Sequence, residues 1–328
     1  MRIMLPLLLF SFICDASFAQ VYKTNEPLVH TFSIVARDSA TGEMAVGVQS
    51  HWFSVGTSVS WGQSGTGVVA TQSFIDKSYG PNGLALMKSG LTAQQALDSL
   101  LKIDAGREVR QVAFIDGKGN VAGHTGNKCI QYASDIQGAN FSVQSNMMLG
   151  DKVCESMAAA FRSSYGKPLA ERVLAALDAA QNAGGDIRGM QSAALIVVNG
   201  TATEKWNDKK IDVRVDDHDA PLKELRRLYN MYVAYQHMNN GDLATEKNDM
   251  ETAMNEYRAA MKMFPENVEM QYWTAITLVN NKRVSEALPM LKKIFTADKN
   301  WKELTKRLPA VGLLTVSEEE MKKIMGLQ

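Results

Sequence analysis

Thr31 opens the stretch of the chain with the clearest chemical potential, residues 30–50, HTFSIVARDSATGEMAVGVQS. A hydroxyl is a weak nucleophile unless a base lies within hydrogen-bond reach. A Thr that is itself the chain terminus carries one, an α-amine of pKa about 8. Cleaving an amide this way further needs a strand that aims the hydroxyl into a cleft, and donors for the developing oxyanion. Residues 31–37 read as that strand and residues 44–48 as its hairpin partner, both apolar enough to be covered on two faces. Residues 38–43, DSATGE, supply the turn, with Gly42 suited to a positive φ. Gln144 and Asn146 interrupt a later apolar strand just before a helix, where an amide and backbone N–H groups would hold negative charge. Arg37, Gln49 and Ser50 at the hairpin ends, and Thr71 and Gln72 at the end of the third strand, are the candidates for substrate binding. From the residues alone, a structural Thr opening a strand and a turn or helix cap at 144–146 are the commoner readings.

The second concentration of ionisable groups is Asp216, Asp217, His218 and Asp219. Neighbours on a strand point to opposite faces, so at most two of them share a site without a turn. No metal site is assigned; Asp216 and Asp217 are the residues from which one would be built. His218 is kept as a substrate-binding candidate, and Asp219 reads as the cap of the helix that follows. The chain has no HExxH, GxSxG or Walker-type loop, and no cofactor is expected.

These residues must be positioned by the elements around them. Strands are expected at 68–73, 110–115, 120–124, 141–144, 193–198 and 211–215. Helices are expected at 84–88, with Pro81 in the turn ahead, and at 93–103, capped by Thr92. Two more span 150–161 and 169–182, the latter closed by Gly184 and Gly185. Runs of strands separated by paired helices suggest two sheets packed face to face with helix layers outside. From residue 221 the strand pattern ends. Ala253, Tyr257 and Ala260 are followed 34 residues later by Ala287, Leu291 and Ile294. That is the period of tetratricopeptide helical hairpins, which usually present a surface to another macromolecule.

Lys plus Arg equals Asp plus Glu, 35 of each, and no basic stripe stands out, so no nucleic-acid partner is expected. Residues 1–19 read as a signal peptide. Arg2 is its positive end, residues 3–13 its apolar run, and Ser17 and Ala19 the small residues before a cut at Gln20. The run is too short to span a bilayer, and no membrane span is expected in the mature chain. Residues 20–30 are then a leader, 31–218 the strand-rich domain and 219–328 the helical domain. Cys129 and Cys154 remain as a pair that an oxidising compartment would bridge or leave free.

The segments HTFSIVARD (30–38), GEMAVGV (42–48), GVVATQ (67–72) and YGPNGLAL (79–86) resemble successive blocks of the domain of unknown function 1028 family. So do Cys129, residues 143–146 (VQSN, where the family usually has Gly at Ser145) and residues 212–218 (DVRVDDH). The resemblance implies an α+β fold, a four-layer αββα sandwich similar to the N-terminal-nucleophile hydrolases, followed here by an all-α helical-repeat domain. Tails of this kind also resemble a module named for peptidoglycan binding. Many relatives begin almost at the Thr, whereas here eleven leader residues precede it.

The expectation is thus an exported, periplasmic or secreted protein hydrolysing a C–N bond of a small amide or peptide-derived substrate. Thr31 is its nucleophile, with Gln144 and Asn146 as oxyanion donors. The other reading is a non-catalytic extracytoplasmic binding protein that uses the cleft for a ligand and residues 219–328 for a protein or peptidoglycan partner.

Overall fold

The computed structural model describes residues 28–327. The expected signal peptide, residues 1–19, and the expected leader up to residue 27 lie outside the described residues. The chain divides into two units, with the boundary between Pro221 and Leu222.

In the first unit the elements run β1 (Leu28–Val29), β2 (Phe32–Arg37), β3 (Met44–Ser50), β4 (Ser60–Gln63), β5 (Gly67–Phe74), α1 (Tyr79–Lys88), α2 (Ala93–Ile103), β6 (Arg110–Asp116) and β7 (Val121–Thr125). They continue with β8 (Ser134–Gly138), β9 (Phe141–Ser145), α3 (Val153–Ser163), α4 (Leu169–Asn182), β10 (Ser192–Val198) and β11 (Lys209–Val215). Two antiparallel sheets result. One has the order β1-β5-β6-β7, with β4 also paired to β5; the other has the order β11-β10-β3-β2-β9-β8. Val35, Met44, Val46 and Val48 of the six-stranded sheet pack against Val68, Ala70, Ala113 and Ile115 of the five-stranded one. On the far side of the latter, Val69, Val112 and Phe114 meet Leu84, Met87, Ala96 and Leu97 of α1 and α2. Strand alternation produces both faces: successive residues of one apolar run go to opposite sides.

Glycines let these layers approach. A Cβ on Gly47 of β3 would stand 2.4 Å from Val173 Cγ1 of α4 and 3.2 Å from Leu177 Cδ1. They also explain why α1 begins five residues before the sequence pattern suggests. Gly80 and Gly83 read as breakers, yet a Cβ at either would meet the Trp61 or Phe114 ring at 2.4 Å or less. Close packing on the sheet therefore outweighs poor helix propensity. Gly42 takes the left-handed turn expected of it, at φ 76°. The α2 cap is a reciprocal box between Thr92 and Gln95. β8 carried no apolar signal because it is the half-exposed edge of its sheet. Cys129 and Cys154 are free thiols, donating to the carbonyls of Arg110 (3.4 Å) and Ser134 (3.2 Å).

The second unit is helical: α5 (Pro221–Glu246), which begins at the boundary, then α6 (Met250–Met263), α7 (Val268–Asn280), α8 (Val284–Ala297), α9 (Lys299–Arg307) and α10 (Glu318–Met325). Ala253, Tyr257 and Ala260 of α6 share one buried cluster with Ala287, Leu291 and Ile294 of α8. Asp249, Asn267 and Asp298 cap α6, α7 and α9 through their side chains. Among the described residues no helix is long and apolar enough to cross a membrane.

Gly47→Ala is expected to overpack the contact between β3 and α4 and to cost ~1–3 kcal/mol. Urea denaturation of the variant beside the parent chain measures it, and an unchanged midpoint would refute the tight-packing account.

Candidate active site

The inner rows of both sheets change character along their length. In β5 the row runs Val68, Ala70, Gln72; in β6 it runs Ile115, Ala113, Gln111, and the register sets Gln72 opposite Gln111. In β2 and β9 the corresponding ends are Ser33 and Gln144, also directly paired. One end of the space between the sheets is thus aliphatic and the other is lined by amides and hydroxyls.

At the polar end the side chains form one hydrogen-bonded chain. Gln144 Nε2 donates to Ser33 Oγ (2.6 Å), which donates to Gln72 Oε1 (2.6 Å). Gln72 Nε2 donates to Gln111 Oε1 (2.7 Å), which also accepts from Asn146 Nδ2 (2.9 Å). Gln111 Nε2 donates to the Ser145 carbonyl (2.9 Å) and to Thr125 Oγ1 (2.9 Å). A backbone carbonyl only accepts, so the Ser145 carbonyl fixes the orientation of Gln111 and, through it, of every amide in the chain. Asn146 Oδ1 is left as an acceptor for His30 Nδ1 (2.6 Å). His30 is therefore the Nδ1–H tautomer, and its Nε2 is buried without a hydrogen-bond partner among the described residues. Burial pushes the imidazole below its ordinary value of 6.5. Asn146 and Asp186 pull it upward, and the Arg188 charge adds to the depression.

The main chain passes through this site at residues 30 and 31. Thr31 is fully buried between β1 and β2, and its carbonyl accepts from Asn146 N (3.1 Å) and Gln72 Nε2 (3.3 Å). The His30 carbonyl accepts from Ser50 Oγ and from Arg188 Nη2 (2.9 Å). Arg188 is held by both oxygens of the buried Asp186 carboxylate, at 3.0 and 2.7 Å. Such a fork-to-fork pair fixes the guanidinium in place. Ser73 and Met147, directly after Gln72 and Asn146, both take left-handed backbone conformations, φ 72° and 59°. Non-glycine residues adopt that region at a cost that surrounding contacts must offset.

The arrangement can grip two consecutive peptide carbonyls with buried neutral donors and one partly exposed guanidinium. It brings Thr31, Ser50, Gln72, Gln144 and Asn146 together, with Gln144 reaching the chain through Ser33. It does not bring in the others. Gln49 alternates to the opposite face of β3, the face on which Gly47 meets α4, and neither end of its buried amide has a hydrogen-bond partner among the described residues. Thr71 faces away from Gln72, and its hydroxyl donates to the Asp76 carbonyl (3.1 Å). Arg37 ends β2 about 20 Å from Thr31 at the usual rise per residue, donating to the Gly117 carbonyl (3.1 Å). His218 is exposed and accepts from Ala220 N (2.8 Å). Asp216 accepts from Ser54 (2.7 Å) and Asp217 from Gln191 (3.1 Å), so their carboxylates serve different loops. Among the described residues no three His, Cys, Asp or Glu side chains are grouped to hold a metal ion. Sequence reasoning missed His30, Ser33, Gln111, Asp186 and Arg188. A Gln on the inner row of an apolar strand, as at position 111, was the available signal.

A family model described as "Family of unknown function (DUF1028)" matches residues 31–225. Among solved structures, a protein of that family from Silicibacter pomeroyi is 29% identical at a TM-score of 0.55, over 61% of this chain and 88% of that one. Anbu (ancestral beta-subunit) from Yersinia bercovieri aligns over 61% of this chain and 93% of its own, with 11% identity and a TM-score of 0.31, too low to bear on the fold. No curated protein matches.

The His30 environment yields a pH dependence. The unfolded chain takes up a proton at His30 near 6.5, whereas the folded chain does so only at lower pH. The stability tied to neutral His30 is therefore full above that value and is lost as pH falls below it. Between about pH 7.5 and about pH 5.5, His30→Gln is expected to lose less stability than the parent chain in urea melts. Equal losses would show that His30 does not titrate abnormally.

Proposed function

The chain belongs to the DUF1028 family, and we propose that it is an exported precursor of a hydrolase in which Thr31 becomes the N-terminal nucleophile. Its two sheets with helices outside read as the αββα sandwich of N-terminal-nucleophile hydrolases. The reaction is hydrolysis of a C–N bond in a small amide or peptide-derived substrate. Ser50 and Arg188, freed when the His30 carbonyl leaves, supply the oxyanion donors, while Asn146 holds the Thr31 carbonyl and Gln144 positions the amides behind it.

The observation that carries this reading is the double grip on the His30 carbonyl by Ser50 and Arg188, at the peptide bond that masks the Thr31 amine. Donors there stabilise negative charge on that oxygen if the Thr31 hydroxyl adds to the carbonyl carbon. The His30–Thr31 C–N bond then breaks, the amine keeps the hydroxyl proton, and His30 is left as an ester on Thr31. Water hydrolyses the ester, releasing the leader as a carboxylate and leaving a free Thr31 amine beside its hydroxyl. The family match itself begins at Thr31, which is consistent with a domain that starts there. The 34-residue spacing of α6 and α8 supports a tetratricopeptide-like second unit that engages a protein or peptidoglycan partner.

One feature favours the non-catalytic reading. Leu28 and Val29 pair with Phe74 and Ser73 of β5, so the end of the leader forms a strand of the sheet. A leader that stays there leaves a closed cleft and a masked amine, and the unit then acts as a binding module.

Intact mass of the protein recovered from its own host decides between the two. The expected product begins at Thr31, and Thr31→Ala retains the leader. A parent chain recovered with residues 28–30 still attached overturns the N-terminal-nucleophile reading and leaves the binding one.

A further inference from the structure

At the end of β2 opposite Thr31 lies a cavity of about 460 Å³. That volume suits a small organic ligand. Its walls carry three guanidinium groups, Arg37, Arg162 and Arg172, and three aromatic rings, Phe141, Phe161 and Tyr165. We infer that this cavity binds a small organic carboxylate with a flat, aromatic body.

Arg172 is the anchor. Its residue is 7% exposed, and its Nε has no hydrogen-bond partner among the described residues. A buried guanidinium N–H normally finds an acceptor, because leaving it bare costs the hydration it gave up. The group stacks 4.0 Å above the Phe161 ring, which keeps its planar fork in one orientation. Asp38 is the one acidic side chain among the described residues within ion-pair distance of these three arginines, at 3.8 Å from Arg172. Its other oxygen is already committed to the backbone N–H groups of Ala40 and Thr41, at 2.9 Å each. Three positive charges thus meet one carboxylate, and the cavity carries an uncompensated positive charge.

The aromatic rings set the rest of the ligand. Arg162 lies 5.2 Å over Phe141, and Tyr165 is 78% exposed beside the cavity. An exposed Tyr next to a guanidinium offers a stacking face for a planar group whose carboxylate reaches the buried fork. A bare phosphate would satisfy the charge and leave these faces unused. The assignment does not rest on the hydrolase reading, since no residue of the Thr31 site lines the cavity.

The test is titration of the full chain with phenylacetate, phenylacetamide and inorganic phosphate, followed by isothermal calorimetry. Saturable phenylacetate binding is expected, weakened roughly tenfold or more by Arg162→Ala and by Tyr165→Ala. Both side chains are exposed, so the variants should melt as the parent does, and either one suffices if the other does not fold. Phenylacetamide should bind at least roughly tenfold more weakly than phenylacetate, because it lacks the charge. The inference is overturned if phenylacetate does not bind, if the amide or phosphate binds as well, or if neither folded variant weakens binding.

Discussion

The structure of the first unit depends on one buried chain of hydrogen bonds, Gln144–Ser33–Gln72–Gln111–Asn146–His30, that ties two sheets together at one end. Elsewhere the sheets are joined by aliphatic contacts, which fix distance but not direction. The amide chain fixes direction, since each link has one donor and one acceptor sense. It is also unforgiving: removing one member strands its neighbours in a space that water does not reach. The net stabilisation of each link is modest, on the order of 1 kcal/mol. Its larger effect is to hold the backbone of residues 30 and 31 in one place.

That placement sets the path of the chain ahead of β2. Leu28 and Val29 belong to the five-stranded sheet and Phe32 onward to the six-stranded one, so the chain crosses between layers at His30 and Thr31. A crossing segment exposes two carbonyls that neither ladder satisfies. Ser50 and Arg188 take one of them, and Asn146 and Gln72 take the other. The same donors that make the crossing tolerable are those a reaction at either carbonyl would use. Structural need and chemical capacity coincide here because both demand N–H and O–H groups aimed at a carbonyl oxygen.

Much of the architecture could be read from pattern alone. Short apolar runs bounded by turn residues located β2, β3, β5, β6, β9 and β10, and Thr92 and the Gly184–Gly185 pair marked helix ends. Two kinds of error remained, each with a physical cause. Glycines 80 and 83 read as breakers because local propensity does not include the Trp61 and Phe114 rings they accommodate. Strand β8 was invisible because an edge strand needs no continuous apolar face.

At the site, residue order alone reveals the amides and hydroxyls at strand ends: Thr31, Ser50, Gln72, Gln144 and Asn146. Alternation also excluded neighbours such as Gln49 and Thr71 from sharing a face with Ser50 and Gln72, although that consequence appears only when the strands are registered. It takes the folded chain to make Gln111 the hub, to bring Asp186 and Arg188 back to residue 30, and to put Arg37 in a separate cavity with Arg172. Those contacts join residues up to 158 apart in the chain. Local pattern encodes the face and period of each strand. It carries no term for which strand lies across the gap, and that pairing is what turns isolated polar residues into a site.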